Sequence, residues 1–158
     1  MINFTPIARK HFVARLYEQL RYKDYADAVQ QGELVKLIEH ASLTEFGRAH
    51  KFSKMRTYRE FATEVPLHRY EDLKPQIMRM VAGEGDVLWR GKCFNFAQSS
   101  GTTDGKSKYI PITAESLKRN HYQGASDVVS HYLNLNPASR LFSGKAFILG
   151  GSFANQLD

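Results

Sequence analysis

The stretch FAQSSGTTDGKSKYIP, Phe96 to Pro111, decides how this chain reads. The run into it, Cys93-Phe94-Asn95-Phe96-Ala97, alternates as a strand does. Ser99, Ser100, Thr102 and Thr103 then set four hydroxyls around Gly101, and Asp104-Gly105 is a turn signal. Lys106 and Lys108 follow. Tyr109-Ile110-Pro111-Ile112 is a second short strand, whose proline lacks a backbone N–H and suits an edge or a strand end. The order is strand, polar loop, strand.

Such a loop suits a polyphosphate. Glycine lets the backbone approach a ligand closely, and successive N–H groups in a turn can form an anion-binding nest. Hydroxyls add donors, and lysines add charge without strict geometry. The same residue types also make an ordinary solvated hairpin loop, and composition alone leaves both readings open. Gly101 to Ser107 has the look of a Walker A loop, but three residues separate its glycines where four are required. A Walker loop also runs straight into a helix. Here Lys108 to Ile112 reads as strand, so the pattern points away from a P-loop NTPase.

Working outward, the chain before the loop reads as helical scaffolding. Ile7, Phe12, Leu16 and Leu20 have helical spacing within a long helix over 7–31, interrupted at Gly32. Glu33 to Ala41 is a second helix, with Gly47 a stop signal after Phe46. Thr57-Tyr-Arg-Glu60 is a capping-box pattern, and the short helix it starts ends before Pro66. A further helix covers 73–82, with Pro75 in its first turn and Gly83 closing it. Met80, with Met78, reads as core filler. Asp86 to Trp89 is a short strand and Gly91-Lys92 a turn, with Trp89 more a buried anchor than a ligand platform.

After the loop, Thr113 is an N-cap for a long helix to about Leu133. Leu117, His121, Ala125, Val128, Val129 and Tyr132 form its apolar stripe, which makes His121 a hydrogen-bonded core histidine. Ala146 to Leu149 reads as a buried strand. The fold class is therefore α/β. It is mostly helical to about residue 82, then has strands around the loop, a long helix and a further strand.

The 158 residues are one domain's worth. Apolar residues make up 42% and charged residues 24%, the balance of a soluble globular chain. No stretch approaches the roughly 20 apolar residues of a membrane span, and the N-terminus has no apolar signal core. The single Cys93 fits a reducing, cytoplasmic setting. The six histidines show no metal-ligand spacing, so no metal site is predicted from the residues. No Gly-x-Ser-x-Gly elbow anchors a hydrolase triad. The net charge of +6 is spread out, densest at Arg48, Lys51, Lys54, Arg56 and Arg59. Phe46, Phe52 and Tyr58 interleave with that patch and are expected to face the core, which weighs against nucleic acid as a partner.

Several separate blocks, in order, carry a resemblance. Ser99-Ser100-Gly101-Thr102-Thr103 with Lys108 resembles the phosphate-binding loop of the acyl-adenylate-forming superfamily. SSGTTDGKSKYIP is similar to one branch, the auxin-responsive promoter family of acyl acid amido synthetases. Thr44 to Arg48, Val65-Pro66-Leu67, Tyr70 to Pro75, Gly83-Glu84, Val87-Leu88-Trp89, Gly144-Lys145 and Leu149 to Ser152 agree with that branch. The resemblance implies that a carboxylic acid is activated by ATP as acyl-AMP and that an amine or amino acid then takes the acyl group as an amide. It implies that Ser99, Ser100, Thr102 and Thr103 hold the β- and γ-phosphates. It also implies that Gly101 and Gly105 let the backbone close on them and that Lys108 offsets phosphate charge. Mg²⁺ is implied with the nucleotide, held largely by phosphates.

Members of that family continue well past the length of this chain. Residues 1–158 are expected to be the N-terminal part of the large adenylate-forming domain, inactive alone, with the strand at 146–149 left open to self-association. Two other readings remain: a non-catalytic nucleotide- or anion-binding module, and a basic nucleic-acid-binding helical domain, which predicts salt-sensitive binding.

Overall fold

A computed structural model describes residues 2–99 and 108–145. Its contacts divide the chain into two units, residues 19–125 and residues 1–18 with 126–158. The division falls inside two helices, α1 (Thr5–Asp24) and α7 (Gln123–Leu135).

In the larger unit, α2 (Ala26–Ala41) begins where Tyr25 leaves helical dihedrals (φ −131°, ψ 34°). The expected break at Gly32 does not occur, and the two helices predicted there divide at Tyr25 instead. An interior glycine costs a helix only about 1 kcal/mol, and Leu34, Ile38 and Ala41 recover that by packing. Ile38, Ala41, Phe52 and Met55 form one buried cluster, flanked by Leu34, Phe46, Phe61 and Val65. The expected core stripe of α1 is only partly realised, since Ile7 and Leu20 are exposed.

Gly47 does not stop a helix. It lies inside α3 (Glu45–Ala49), fully covered. Thr44 caps α3: its Oγ1 accepts from the Gly47 N–H (2.9 Å) and its hydroxyl donates to the Ala41 carbonyl (2.7 Å). A Cβ on Gly47 would stand 2.0 Å from that same carbonyl oxygen. The glycine is therefore there for close approach of α3 to the end of α2. After a short 3₁₀ turn, α4 (Tyr58–Glu64) starts from the predicted capping box. Glu60 N–H donates to Thr57 Oγ1, and Thr57 N–H donates to the Glu60 carboxylate.

Helix α5 (Tyr70–Val81) begins earlier than its apolar spacing suggests, because Asp72 Oδ2 accepts from the Arg69 N–H at 2.7 Å and fixes the first turn there. Pro75 thus falls in the second turn, where its missing N–H leaves the exposed Glu71 carbonyl to water. Gly83 ends the helix as predicted, with φ +91° and the Glu84 N–H donating to the Arg79 carbonyl. Met80, Val87 and Cys93 form a second buried cluster, with Leu88, Trp89 and Phe96 against it, while Met78 stays exposed.

Residues 86–89 are not a strand. Asp86 sits at φ 59°, and its carboxylate and N–H close a loop onto Gly91 (2.7 and 3.1 Å). The carbonyls of Asp86 and Val87 accept from the Glu45 and Phe46 N–H groups, which are the otherwise orphaned donors at the start of α3. The backbone groups a strand would need are committed to a helix end.

Strands β1 (Asn95–Gln98) and β2 (Tyr109–Ile112) form an antiparallel hairpin, with Phe96 opposite Pro111 and Gln98 opposite Tyr109. β1 starts two residues later than its alternation predicted. Thr113 caps α6 (Ala114–Ser116) through its Oγ1 (3.0 Å from Ser116 N). A π-helical segment, Leu117–Tyr122, follows and runs into α7. A π turn closes i to i+5 and takes one residue more than an α turn. The buried positions of α7 accordingly become Ser130 and Leu133, one step beyond the predicted Val129 and Tyr132, and Val128 is exposed.

In the smaller unit, Thr5 Oγ1 accepts from the Phe142 N–H (2.9 Å), and the Phe4 N–H donates to the Phe142 carbonyl (3.1 Å). The Phe12 and Phe142 rings stack at 5.7 Å. Arg9 donates to the carbonyl of Leu133, in the last turn of α7, and to those of Asn136 and Pro137 just beyond it. The predicted strand 146–149 lies outside the described residues.

Candidate functional site

The hairpin register continues past its last ladder pair. Ser99 stands opposite Lys108: Ser99 N–H donates to the Lys108 carbonyl (3.0 Å), and Lys108 N–H donates to Ser99 Oγ (3.0 Å). The neck of the loop is thereby fixed, and the Ser99 hydroxyl keeps its proton for a further acceptor. Ser99 and Lys108 are the two predicted site residues that the structure brings together. Ser100, Gly101, Thr102, Thr103 and Gly105 lie outside the described residues.

A second brace comes from α5, which packs against β2. The Tyr70 hydroxyl accepts from the Tyr109 N–H at 2.9 Å. The Lys108 Nζ lies 5.4 Å from the centroid of the Tyr70 ring, a cation–π distance. Among the described residues Lys108 has no carboxylate partner. Cys93 is buried beneath the base of the hairpin, its Sγ 3.3 Å from the Asn95 carbonyl and 3.4 Å from that of Ile112.

Beside the hairpin lies a cleft of about 610 Å³. Ala97 and Ile112 form its strand wall, and Leu117, Asn120, His121 and Gly124 its helical wall, with Ser116 and Ala125 completing it. His121 is exposed at this wall, so the expectation of a core histidine is corrected. Leu117, Asn120, His121, Gly124 and Ala125 share a face of the π-to-α junction, and that face meets the cleft rather than the core. A π segment cannot be read from hydrophobic spacing, and neither His121 nor Asn120 was expected at a site.

The groups with displaced pKa values lie elsewhere. Arg79 forms a fork with Glu45 (3.0 and 2.7 Å) and also holds Glu84. Both carboxyls lie below, and the guanidinium above, their usual ranges, through those hydrogen bonds. Glu60 is lowered by the Arg56 and Thr57 donors of the capping box. These pairs tie scaffold elements together and do not line the cleft. No group of three or more His, Cys, Asp or Glu among the described residues could hold a metal. In the basic patch, Lys51 pairs with Glu64 (3.4 Å), and Arg48 and Arg56 donate to nearby carbonyls. Phe52 there is buried, but Tyr58 is exposed and does not face the core.

This mostly helical α/β scaffold with its small two-stranded sheet is similar in fold to part of an acyl acid amido synthetase. The solved structure of GH3.15 acyl acid amido synthetase superposes with a TM-score of 0.66 at 24% identity, over 85% of this chain and 23% of that one. The model of the GH3 family N-terminal domain matches residues 15–153, and the chain belongs to that family. Curated relatives include the Arabidopsis thaliana indole-3-acetic acid-amido synthetase GH3.17, 35% identical over 96 residues, or 60% of this chain and 16% of that protein. The Oryza sativa subsp. japonica probable indole-3-acetic acid-amido synthetase GH3.2 is 31% identical over 94 residues, 59% of this chain and 15% of that protein. This chain thus spans about one-sixth of the curated relatives it matches. No described helix is long and apolar enough to cross a membrane.

Proposed function

We propose that this chain supplies the polyphosphate-holding part of an ATP-dependent acid–amine ligase. The observation that carries the reading is the Ser99–Lys108 neck. It holds the Lys108 ammonium, which has no carboxylate partner among the described residues, and a hydroxyl at the mouth of the loop, on the same hairpin whose Ala97 and Ile112 wall the cleft. Ala97 lies on β1 and Ser99 just past its end, two residues on, or about 7 Å along extended chain. An acid seated in the cleft therefore has its carboxylate within reach of a nucleotide at the loop.

A carboxylate is a poor electrophile. Its oxygen attacks the α-phosphorus of ATP, the bond to pyrophosphate breaks, and AMP becomes the leaving group on the acyl carbon. An amine, with an amino acid as the favoured acceptor, then attacks that carbon and AMP departs. Negative charge grows on the departing pyrophosphate, and preorganised donors are worth most there. Lys108 supplies charge and Ser99 a hydroxyl donor. Ser100, Thr102 and Thr103, with the backbone freed by Gly101 and Gly105, complete the cradle. Mg²⁺ would accompany the nucleotide, held largely by its phosphates. The cleft, with Leu117, Ala97 and Ile112 against Ser116, Asn120 and His121, fits a mostly apolar acid with a polar substituent.

Calorimetric titration with ATP tests the reading. The chain should bind ATP, and Lys108→Ala should weaken binding about tenfold or more, as for a lost charge-assisted hydrogen bond. Equal affinity in the two proteins would remove Lys108 from the site. The chain alone should form no acyl-AMP, and its formation from ATP and any carboxylic acid would show that these residues suffice.

A further inference from the structure

We infer that Tyr70 is a positioning residue for the phosphate loop, acting on it through Lys108 and Tyr109. The inference rests on the polyphosphate reading above and adds a residue that lies 38 positions from Lys108 in the sequence.

Two contacts from one side chain carry it. The Tyr70 hydroxyl accepts the Tyr109 N–H at 2.9 Å, one residue beyond the Ser99–Lys108 neck. Its ring lies under the Lys108 Nζ at 5.4 Å. The first contact fixes where the backbone leaves the loop, and the second fixes where the ammonium waits. A lysine side chain carries several rotatable bonds and much rotamer entropy. A lysine already held over a ring face forfeits less of that freedom when an anion arrives.

Tyr70 is itself held. It is the first residue of α5, whose opening turn is fixed by Asp72 on the Arg69 N–H, and it is half-buried. The ring thus presents a fixed platform rather than one more mobile side chain. It also holds Lys108 without neutralising it. A carboxylate in the same place would compete with phosphate, whereas an aromatic face leaves the positive charge available.

The test uses the whole chain and inorganic pyrophosphate as the probe. Tyr70→Phe keeps the ring and removes the hydroxyl, whereas Tyr70→Leu removes both contacts. In NMR spectra the Lys108 ε-methylene protons should be shifted upfield by the ring in the parent and in Tyr70→Phe, and should lose that shift in Tyr70→Leu. Pyrophosphate affinity should fall about two- to fivefold in Tyr70→Leu, the range of an exposed cation–π contact. The fall should be smaller when the change is made in Lys108→Ala, where only the Tyr109 contact is left to lose. A loss of the same size in both backgrounds would mean that Tyr70 does not act through Lys108 and would overturn the inference. Unchanged affinity in Tyr70→Leu, or no ring shift in the parent, would overturn it as well. If the parent binds and Lys108→Ala weakens it while Tyr70 changes do nothing, the phosphate reading stands and only the role of Tyr70 falls. If the parent binds no pyrophosphate, both fall.

Discussion

Replacing Gly47 with alanine sets two physical effects against each other. Gly47 lies in helix α3, and by propensity alone alanine there should stabilise by about 1 kcal/mol. The structure predicts the reverse. The new Cβ would stand 2.0 Å from the Ala41 carbonyl oxygen, 2.8 Å from its carbon and 3.0 Å from Ser42 Cα. All three are backbone atoms, so no side chain can swing aside. The Ala41 oxygen is further pinned by donors from the Thr44 N–H (3.0 Å) and the Thr44 hydroxyl (2.7 Å). Relief requires α3 to move off the end of α2 by about 1 Å. Overpacking of that kind costs about 1–3 kcal/mol, here at the upper end because backbone must move. Losing one of the buried Thr44 bonds adds about 1 kcal/mol. Set against the propensity gain, the net loss is about 3 kcal/mol, or a fall in Tm of about 6–12 °C for a chain of this size. Thermal unfolding followed by far-ultraviolet circular dichroism reads it directly. An unchanged or higher Tm in Gly47→Ala would refute the close-approach account and leave propensity as the ruling effect.

Three other outcomes are expected. Thr57→Ala should cost about 1 kcal/mol by removing the cap of α4, measured by denaturant titration. Because the carboxyls of Glu45, Glu60 and Glu84 are lowered in the fold, their contribution is present above the ordinary glutamate range. It is lost as the pH falls through their lower folded values, so stability should decline below about pH 4.3. A flat stability curve between pH 5 and pH 3 (about the limits of that window) would count against the Arg79 fork and the capping box. Leu117→Trp should narrow the cleft and weaken binding of a mostly apolar carboxylic acid, followed by ligand-observed NMR. Undiminished binding would place the acid elsewhere.

The hairpin was legible because its two strands alternate and its turn chemistry is local. The capping box at Thr57 and the stop at Gly83 were legible for the same reason. What failed to show was decided by partners distant in the chain. Residues 86–89 have strand-like composition, but their carbonyls serve the start of α3. Gly47 resembles a helix terminator until the Ala41 carbonyl is placed beside it. His121 sits on an apolar spacing that the π segment redirects towards the cleft. Of the site, Ser99 and Lys108 could be named from the motif, whereas Tyr70 could not. Its role depends on α5 packing against β2, and nothing local to Tyr70-Glu71-Asp72 signals that contact.

The central claim is that the hairpin loop receives a nucleotide's phosphates. It is tested most directly by titrating ATP with Mg²⁺ into isotope-labelled chain and following the backbone amide signals. The account predicts saturable shifts concentrated at Ser99, Lys108, Tyr109 and Tyr70, with the signals of Arg48 to Arg59 unmoved. Shifts centred on that basic patch, or no saturable shifts at the hairpin neck, would contradict it.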